Sequence, residues 1–408
     1  MRNQNRLVRG WRPRHSAAAA LLVATLGVAS WIVVGSPRLV GAHETVMPQG
    51  SSVTTPARHA PHDSSPVPDP GTPATSAASG KTPITTPADR EIPSRTWTEP
   101  PTATGSHSRH RSAPGSYVLA EKPVIGVTPS TNRPPNKAHR EFQANCAVSH
   151  RRADDPIVFF RQPGASHDHT FMGNTTTAAA STTASLMAGG TLCRVPDDRS
   201  GYWMPTLLAG DRPVVPEGPQ TIYYKSGVRD YTSVRPFPPG LRFLVGSPTT
   251  TAQQFADAPG FVAGWECGNS YRNIDFPVGE CSRGSRLNLR MQAPSCWDGR
   301  HLDSPDHKSH IIYPVDGVCP RSHPVAVPMI EFKMAWPVDG DMSRVRLSSG
   351  RGFSFHYDFY NAWTPGTLAA LVEHCINAGR QCDARGFSQF DPAAGAALDE
   401  NYRLPGRS

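Results

Sequence analysis

The sequence predicts a mainly β protein: one β-sandwich-like domain with long loops, a C-terminal helix and disulfide bonds. Three observations lead to this prediction. Short apolar segments alternate with Pro, Gly and Asp clusters, which is typical of sandwich strands and their turns. A single stretch has the apolar period of a convincing helix. All eight cysteines lie after residue 140, so the disulfide-linked part of the chain is its last two thirds.

Residues 1–42 have the pattern of an export segment. Five arginines occur before residue 15, and residues 16–34 are apolar and nearly uncharged. A basic stretch followed by an apolar one is typical of a secretory signal, and Val40-Gly41-Ala42 offers a cleavage site. The apolar run is also long enough to span a bilayer, so membrane anchoring through residues 16–34 stays open. Both alternatives predict an extracellular or cell-envelope location.

Residues 43–138 are rich in Pro, Thr, Ser and Ala and have no hydrophobic period. Such a segment cannot bury enough apolar surface to offset its chain entropy, so we predict a disordered linker. The folded domain is then predicted to cover residues 139–385, and residues 386–408 to form a loose tail.

The net charge of +8 is concentrated outside the predicted domain. Residues 1–42 carry +6 and residues 43–140 carry +3, which leaves −1 on residues 141–408. A nucleic-acid partner requires a basic face on the folded part of the chain. The charge distribution therefore argues against nucleic-acid binding.

Strands are predicted where short apolar runs are bounded by turn residues. The first such run directly follows Asp154-Asp155. The predicted strands cover residues 156–160, 220–225, 241–246, 286–292, 310–313, 325–336, 344–348 and 352–359.

The predicted helix begins after Thr364, which can cap it, with Pro365 at the first helical position and Gly379 after its end. Apolar residues recur on one face of this helix, at Leu368, Leu371, Val372, Cys375 and Ile376. Residues 175–187 are rich in Ala and Thr and predict a second, weaker helix.

An even number of cysteines behind a signal-like segment indicates disulfides. We predict the local pairs Cys146–Cys193 and Cys375–Cys382, with the other four cysteines paired among themselves. A zinc site is the alternative, but the sequence contains no C-x-x-C motif.

The first cluster of chemistry-bearing residues lies in residues 164–174. If this segment is extended, His167 and His169 point to the same face, where they could share a metal or act as acid and base. Asn174 follows them in a Gly-Asn turn. The structural alternative is that one histidine caps a turn and the other packs in the core.

The second cluster lies in residues 296–310 and combines three acids with three histidines after Trp297. Its candidates are Asp298, Asp303, Asp306, His307 and His310. A solvated, charged loop is the structural alternative. Trp297 could stack on a sugar ring or lie in the core beside a disulfide.

The third cluster lies in residues 353–363, where Phe353, Phe355, Tyr357 and Phe359 alternate with polar residues. One strand face is therefore aromatic, and the other presents His356 and Asp358 together. A surface pair is the usual alternative for such a motif. Asn361 and Trp363 follow the strand and are candidates for shaping a cleft.

Together the three clusters predict one shared polar site. The candidates for acid–base or metal chemistry are His167, His169, Asp298, Asp303, Asp306, His307, His310, His356 and Asp358. The candidates for substrate contact are Asn174, Trp297, Asn361 and Trp363. The sequence has no G-x-S-x-G, H-E-x-x-H, Walker or dinucleotide motif, so it identifies no cofactor and leaves metal binding open.

Several short motifs occur in a fixed order along the predicted domain: Gln162-Pro163-Gly164-Ala165-Ser166-His167, Phe171-Met172-Gly173-Asn174, Tyr202-Trp203-Met204-Pro205, Phe237-Pro238-Pro239-Gly240-Leu241-Arg242, Ser295-Cys296-Trp297-Asp298-Gly299, Leu302-Asp303-Ser304, Asp306-His307 with His310, and Phe359-Tyr360-Asn361-Ala362-Trp363. This order resembles a secreted domain-of-unknown-function family of fungi and actinobacteria, numbered nineteen-ninety-six. The resemblance covers about residues 142–385. Relatives often carry other residues at the positions of Asp168 and Thr170.

The resemblance implies export and an extracellular role. Fungal relatives that are joined to carbohydrate-binding WSC domains point to polysaccharide, but the resemblance implies no catalytic assignment. We therefore expect an extracellular hydrolase that acts on a polysaccharide of the envelope or the environment. The alternative is a non-catalytic carbohydrate-binding or cell-wall-associated module, which would keep the aromatic residues but not need the acids and histidines. In both cases the expected partner is a polysaccharide or another cell-envelope component.

Overall fold

The computed structural model describes residues 116–258, 262–268 and 280–406. The predicted export segment and most of the predicted linker lie outside these residues. In the described ranges, no helix has the length and apolar character required to cross a bilayer.

Short strands dominate the described residues. They are β1 Val118–Leu119, β2 Glu141–Gln143, β3 Val148–Arg152, β4 His169–Gly173, β5 Gly201–Pro205, β6 Leu207–Ala209, β7 Arg212–Val214, β8 Thr221–Ser226, β9 Arg242–Gly246, β10 Ala263–Cys267, β11 Glu280–Cys281, β12 Leu287–Gln292, β13 Cys296–Trp297, β14 His301–Asp303, β15 Ile311–Ile312, β16 Val325–Ala326, β17 Pro328–Trp336, β18 Gly340–Asp341, β19 Val345–Leu347 and β20 His356–Tyr360.

The helices are short. They are α1 Thr183–Ala188, α2 Ala252–Asp257 and α3 Pro365–Leu371, with 3-10 turns at Tyr231–Ser233 and Pro392–Ala394 and a π-helical segment at Val372–Asn377.

Two antiparallel sheets of five strands each form the body of the described domain. The first has the order β10-β12-β17-β8-β2, and the second has the order β3-β4-β5-β20-β9. Smaller sheets join β13 to β15 and β16, β6 to β7 and β19, β1 to β14, and β11 to β18.

The main core lies between the two large sheets. Phe332 of β17 contacts the rings of Tyr202 and Tyr357 in the opposite sheet, with centroids 5.8 and 4.0 Å away. The Tyr357 hydroxyl also donates to the carbonyl of Ile330, at 3.1 Å. Two sheets that face each other across an aromatic core form a β-sandwich, as the sequence predicts.

A chain of hydrogen bonds crosses this core and ends on a buried carboxylate. Trp363 Nε1 donates to the Tyr224 hydroxyl at 2.9 Å, and the Tyr202 hydroxyl donates to Asp198 Oδ2 at 2.8 Å. The two hydroxyls lie 2.6 Å apart, and because Tyr202 donates to Asp198, Tyr224 must donate to Tyr202. Burial raises the pKa of Asp198 to about 7, although hydrogen bonds from Tyr202 and Ser200 oppose the rise.

Seven of the eight predicted strand regions contain a strand, but the region at residues 156–160 was predicted wrongly. These residues form a turn, because Asp155 Oδ1 accepts hydrogen bonds from the backbone N–H groups of Ile157 and Val158, at 2.8 and 2.9 Å. The apolar run then divides, with Ile157 buried and Phe160 exposed.

The predicted C-terminal helix is confirmed, with a change of pitch. It begins as α3 and continues as the π-helical segment Val372–Asn377, and Gly379 follows with φ +68°. The five apolar residues predicted on one face are buried. Thr364 makes no side-chain capping bond. The weaker helix predicted over residues 175–187 is shorter than predicted and consists of α1, Thr183–Ala188.

All eight cysteines are paired in the described residues. The predicted pairs Cys146–Cys193 and Cys375–Cys382 are confirmed, and the remaining bonds are Cys267–Cys281 and Cys296–Cys319. No cysteine is left for the zinc alternative.

Both ends of the described chain contact the domain. Val118–Leu119, in the stretch that the sequence assigns to the linker, pair with β14, and the Tyr231 hydroxyl donates to the carbonyl of Pro135 at 3.0 Å. In the predicted tail, Leu398 is buried against the main core.

Candidate functional site

The second sheet has a core-facing side and an outer side, and the polar candidates lie on the outer side. Asp358 pairs with Trp203 of β5, and Phe171 of β4 pairs with the same Trp203. Since side chains alternate along a strand, His169, Trp203 and Asp358 share one side, opposite Tyr202 and Phe359. A small apolar cluster covers this side: Ile157, Phe171, Leu186, Trp203, Tyr360 and Ala362.

Three of the predicted histidines meet on this outer side. The ring centroids of His167 and His169 are 4.3 Å apart, and those of His167 and His356 are 5.0 Å apart. His169 and His356 are buried, with 0% and 3% exposure, whereas His167 is partly exposed. One imidazole nitrogen from each ring lies within 4.8 Å of the other two.

The backbone sets the protonation of two of these rings. His169 Nδ1 lies 2.9 Å from the carbonyl of Asp154, and His356 Nδ1 lies 2.9 Å from the carbonyl of Ser354. A carbonyl oxygen can only accept, so Nδ1 carries the proton in each ring. Each Nε2 then presents a lone pair when the ring is neutral.

Two carboxylates lie next to His169. Oxygens of Asp155 and Asp358 and a nitrogen of His169 all lie within 4.8 Å of one another. Asp358 is completely buried, and neither of its oxygens has a hydrogen-bond partner among the described residues. We name the group of His167, His169, His356, Asp155 and Asp358 the histidine site.

Asp155 was not predicted as a site residue. Asp154-Asp155 precedes the apolar run from which a strand was predicted at residues 156–160. An Asp followed by an apolar run can also begin a turn through its own side chain, and that signal would have been enough to place it in a loop.

Burial controls the charge of the three histidines. It lowers the pKa of His167 to about 4, although Asp168 opposes the change. It lowers the pKa of His356 to about 3, with a further contribution from His167, and it lowers the pKa of His169 well below its usual range. All three rings are therefore neutral at pH 7.

Burial acts in the opposite direction on the two carboxyl groups. It raises the pKa of Asp358 well above its usual range, and the neighbouring Asp155 raises it further, whereas Lys308 opposes the rise. Burial also raises the pKa of Asp155, although backbone N–H groups and His307 favour its ionised form. Two close carboxyl groups in one buried site favour retention of a proton.

The loop over residues 303–310 brings His307 and Lys308 near the site. His307 has φ +57°, and its Nδ1 lies 2.8 Å from Asp303 Oδ1. Lys308 is held by a hydrogen bond from its ammonium to the carbonyl of Gly246. Burial lowers the pKa of Lys308, and the charge of Asp358 opposes that change.

Asp303, Asp306 and His310 hold this loop rather than line the histidine site. Asp303 accepts from Arg242 Nε at 2.8 Å, and Asp306 accepts from Ser304 Oγ at 2.7 Å. His310 is buried, with Nδ1 2.8 Å from Ser304 Oγ and Nε2 2.9 Å from the carbonyl of Arg242. Both ring nitrogens of His310 are therefore occupied, and its predicted role in acid–base or metal chemistry is not supported.

Asp298 and Trp297 also have structural roles. Asp298 accepts from the backbone N–H groups of Arg300 and His301 and from the His301 ring. Trp297 has 1% exposure, and its Nε1 donates to the carbonyl of His301 at 2.6 Å. A fully buried indole cannot stack on a sugar, so the substrate role predicted for Trp297 is corrected to a core role.

The other three predicted substrate contacts are buried as well. Asn174 donates to the carbonyls of Leu186 and Arg199 and therefore holds a turn. Asn361 donates to the carbonyl of Pro238 at 2.8 Å, and Trp363 belongs to the hydrogen-bond chain in the core. The amides of Asn174 and Asn361 are committed to backbone carbonyls, and the Trp363 indole faces the core, so these residues position the fold.

A cleft of about 690 Å³ opens at the β9 edge of the same sheet. Its lining includes Leu244, Gly246, Phe255, Lys308, Ile312 and Tyr313. Gly246 pairs with His356 across the sheet, and Lys308 interacts with Asp358. The cleft therefore adjoins the histidine site, and Lys308 lines the cleft while it interacts with Asp358.

The comparisons with known proteins agree with the resemblance noted in the sequence. Residues 155–363 match the family model described as Domain of unknown function (DUF1996). The match covers slightly more than half of the chain and includes all five residues of the histidine site. No curated protein and no solved structure matches the chain. The chain belongs to the DUF1996 family.

Proposed function

We propose that the protein is an exported hydrolase that acts on a polysaccharide of the cell envelope or the environment. Its reaction takes place at the histidine site. One observation carries this proposal: His167, His169, His356 and Asp358, predicted from two separate clusters, lie together on one face of a sheet.

Several features support export. The basic and apolar pattern of residues 1–34 is that of a secretory signal or anchor. The four disulfides of the described domain are compatible with an extracellular location, since such bonds persist in oxidising compartments.

Hydrolysis requires groups that exchange a proton with water and with the leaving group. One water gives its hydroxyl to one fragment and its proton to the other. The neutral histidines can accept a proton, and the carboxyl of Asp358 can hold one, because its oxygens have no other partner in the described residues. His167 is the partly exposed member and forms the side of the site that substrate can reach.

The spacing of the carboxylates argues against the two-carboxylate mechanism of many glycosidases. In those enzymes the carboxyl groups stand about 5–5.5 Å or about 6.5–9.5 Å apart, on either side of the bond that is cleaved. Oxygens of Asp155 and Asp358 lie within 4.8 Å, and both residues are buried. A sugar ring does not fit between them, so we assign the reacting role to the histidine side of the site.

The neighbouring cleft supports a substrate of several sugar units. Ligand sites in proteins commonly enclose about 300–1,000 Å³, and the cleft has about 690 Å³. Tyr313 and Phe255 provide apolar surface there, and Lys308 provides a cation.

The alternative function, a non-catalytic carbohydrate-binding module, depended on aromatic residues that could stack on sugars. Trp297 and Trp363 are both buried in the core, with 1% exposure each. The hydrolase is therefore the better supported of the two.

The test is a panel of envelope and plant polysaccharides incubated with wild-type protein, His169→Ala and His139→Ala. His139 is the matched control, because it precedes β2 in the other sheet and its side chain is half exposed. We expect new reducing ends or released substituents with wild type and His139→Ala, and none with folded His169→Ala. Binding without product on every polysaccharide would instead favour the module.

A further inference from the structure

Nitrogen atoms of His167, His169 and His356 lie close together, and hydrogen bonds do not satisfy all of them. One nitrogen from each ring lies within 4.8 Å of the others. The Nε2 atoms of His167 and His169 are buried, and neither has a hydrogen-bond partner among the described residues. Buried polar atoms in native proteins nearly always have a partner, so these unpartnered nitrogens require an explanation.

The hydrogen bonds made by Nδ1 of His169 and His356 are those typical of metal-bound histidines. Metal-ligating imidazoles typically donate their second N–H to a carbonyl or carboxylate, which fixes the ring and directs the free nitrogen at the ion. His169 donates through Nδ1 to Asp154, and His356 donates through Nδ1 to Ser354. Both Nε2 atoms are thereby prepared as ligands.

We propose that His167, His169 and His356 bind a divalent transition-metal ion of the zinc class. Imidazole nitrogens suit zinc, copper, iron and nickel, whereas calcium and magnesium prefer oxygen ligands. Three protein ligands with an open fourth position are the arrangement of catalytic rather than structural zinc. The existence of the site rests on the geometry alone, and the role of the ion rests on the proposed hydrolase.

The ion would supply a Lewis acid and a water of lowered pKa to that reaction. The chain supplies the remaining functions. Asp358 lies beside His169, and its unpartnered carboxyl group is placed to exchange a proton. The partly exposed His167 leaves the substrate side of the site open.

The test measures zinc binding to tag-free, EDTA-treated protein by calorimetry and by elemental analysis after dialysis. We expect one tightly bound Zn²⁺ per chain and a higher melting temperature with Zn²⁺, but no such effect of Ca²⁺. His167→Ala should weaken Zn²⁺ binding by more than about 100-fold. This variant should fold, because Nε2 of His167 makes no hydrogen bond that could be lost.

His150→Gln is the matched control. His150 lies on the neighbouring strand β3, and its Nε2 is occupied by the carbonyl of Thr177 at 2.8 Å. The His150→Gln variant should bind Zn²⁺ as tightly as wild type. Wild-type protein that takes up no Zn²⁺, or equal affinity in wild type and His167→Ala, would overturn the metal site.

The two proposals fail in different ways. Zinc bound without cleavage of any polysaccharide would contradict the proposed hydrolase but support the proposed metal site. Cleavage that persists in EDTA at the wild-type rate, with no bound metal, would contradict the proposed metal site but support the proposed hydrolase.

Discussion

The imidazole rings of His167 and His356 meet edge to face, with their centroids 5.0 Å apart. His167 lies just before β4, and His356 begins β20, near the end of the family match. The two strands are separated by β5 in the sheet. The contact therefore depends on the sheet order, and any change that shifts one of these strands would separate the two rings.

Replacement of Asp358 by Asn tests whether its carboxyl group acts in the reaction. The carboxylate has no hydrogen-bond partner among the described residues, so an amide of the same size loses no bond. We expect the free energy of unfolding in EDTA not to fall at pH 7, because Asn removes a group whose pKa is raised by burial. Hydrolysis should fall by about 10²–10⁴-fold if the group transfers a proton.

Asp303→Asn is the contrasting variant, measured by urea denaturation and by the same hydrolysis assay. Asp303 accepts from Arg242, Ser304 and His307. Its replacement should cost about 1–3 kcal/mol of stability, because charged hydrogen bonds are lost. If Asp358→Asn proves unstable but fully active, Asp358 has a structural role.

The local patterns in the sequence were sufficient for the strand faces but not for the assembly of the site. Alternation in residues 353–359 predicted that His356 and Asp358 lie on one face, and the structure confirms this. The sequence could not show that β4 and β20 lie on either side of β5, since sheet order depends on long-range packing. The position of Asp155 beside Asp358 also depends on packing between residues that are remote in sequence.

The four predicted substrate contacts illustrate a second limit. A tryptophan next to a cysteine or a strand end is compatible with either a cleft or a core, and only burial separates the two. Trp297 and Trp363 are core residues whose indole N–H groups have partners inside the protein. Asn174 and Asn361 likewise donate to backbone carbonyls, a common role for Asn in turns.

Replacement of Trp363 by Phe separates a core role from a ligand-binding role. The change removes the N–H donor to the buried Tyr224 hydroxyl and part of the packed ring. We expect a loss of about 1–3 kcal/mol in the free energy of unfolding, measured with urea, and unchanged polysaccharide affinity. Lost affinity at unchanged stability would show that the indole contacts the ligand.

The disulfides should contribute to stability in the order of the lengths of the loops that they close. Cys146–Cys193 spans 47 residues of separation, and Cys375–Cys382 spans 7. The chain-entropy relation gives about 4 kcal/mol for the first bond and about 2.5 kcal/mol for the second. Double Cys→Ala variants, compared by urea denaturation under oxidising conditions, should show this order. The reverse order would indicate that native packing around the helix outweighs loop closure.

Asp198 should make the stability of the protein depend on pH in a defined direction. Its folded-state pKa is about 7, whereas the usual value is 3.8. Between these values the folded state keeps a proton that the unfolded state releases. The free energy of unfolding therefore falls by about 1.4 kcal/mol per pH unit as the pH rises from about 4 to about 7, and this contribution is constant at higher pH.

Asp198→Asn removes this titration and keeps an oxygen that can accept from Tyr202. Urea denaturation of both proteins at several pH values gives the difference in their unfolding free energies, in which other titrating groups cancel. We expect wild type to lose stability relative to Asp198→Asn as the pH rises through this window, and the difference to level off above it. A difference that is independent of pH would mean that Asp198 is ionised throughout, and that the chain from Trp363 to Asp198 stabilises a buried negative charge.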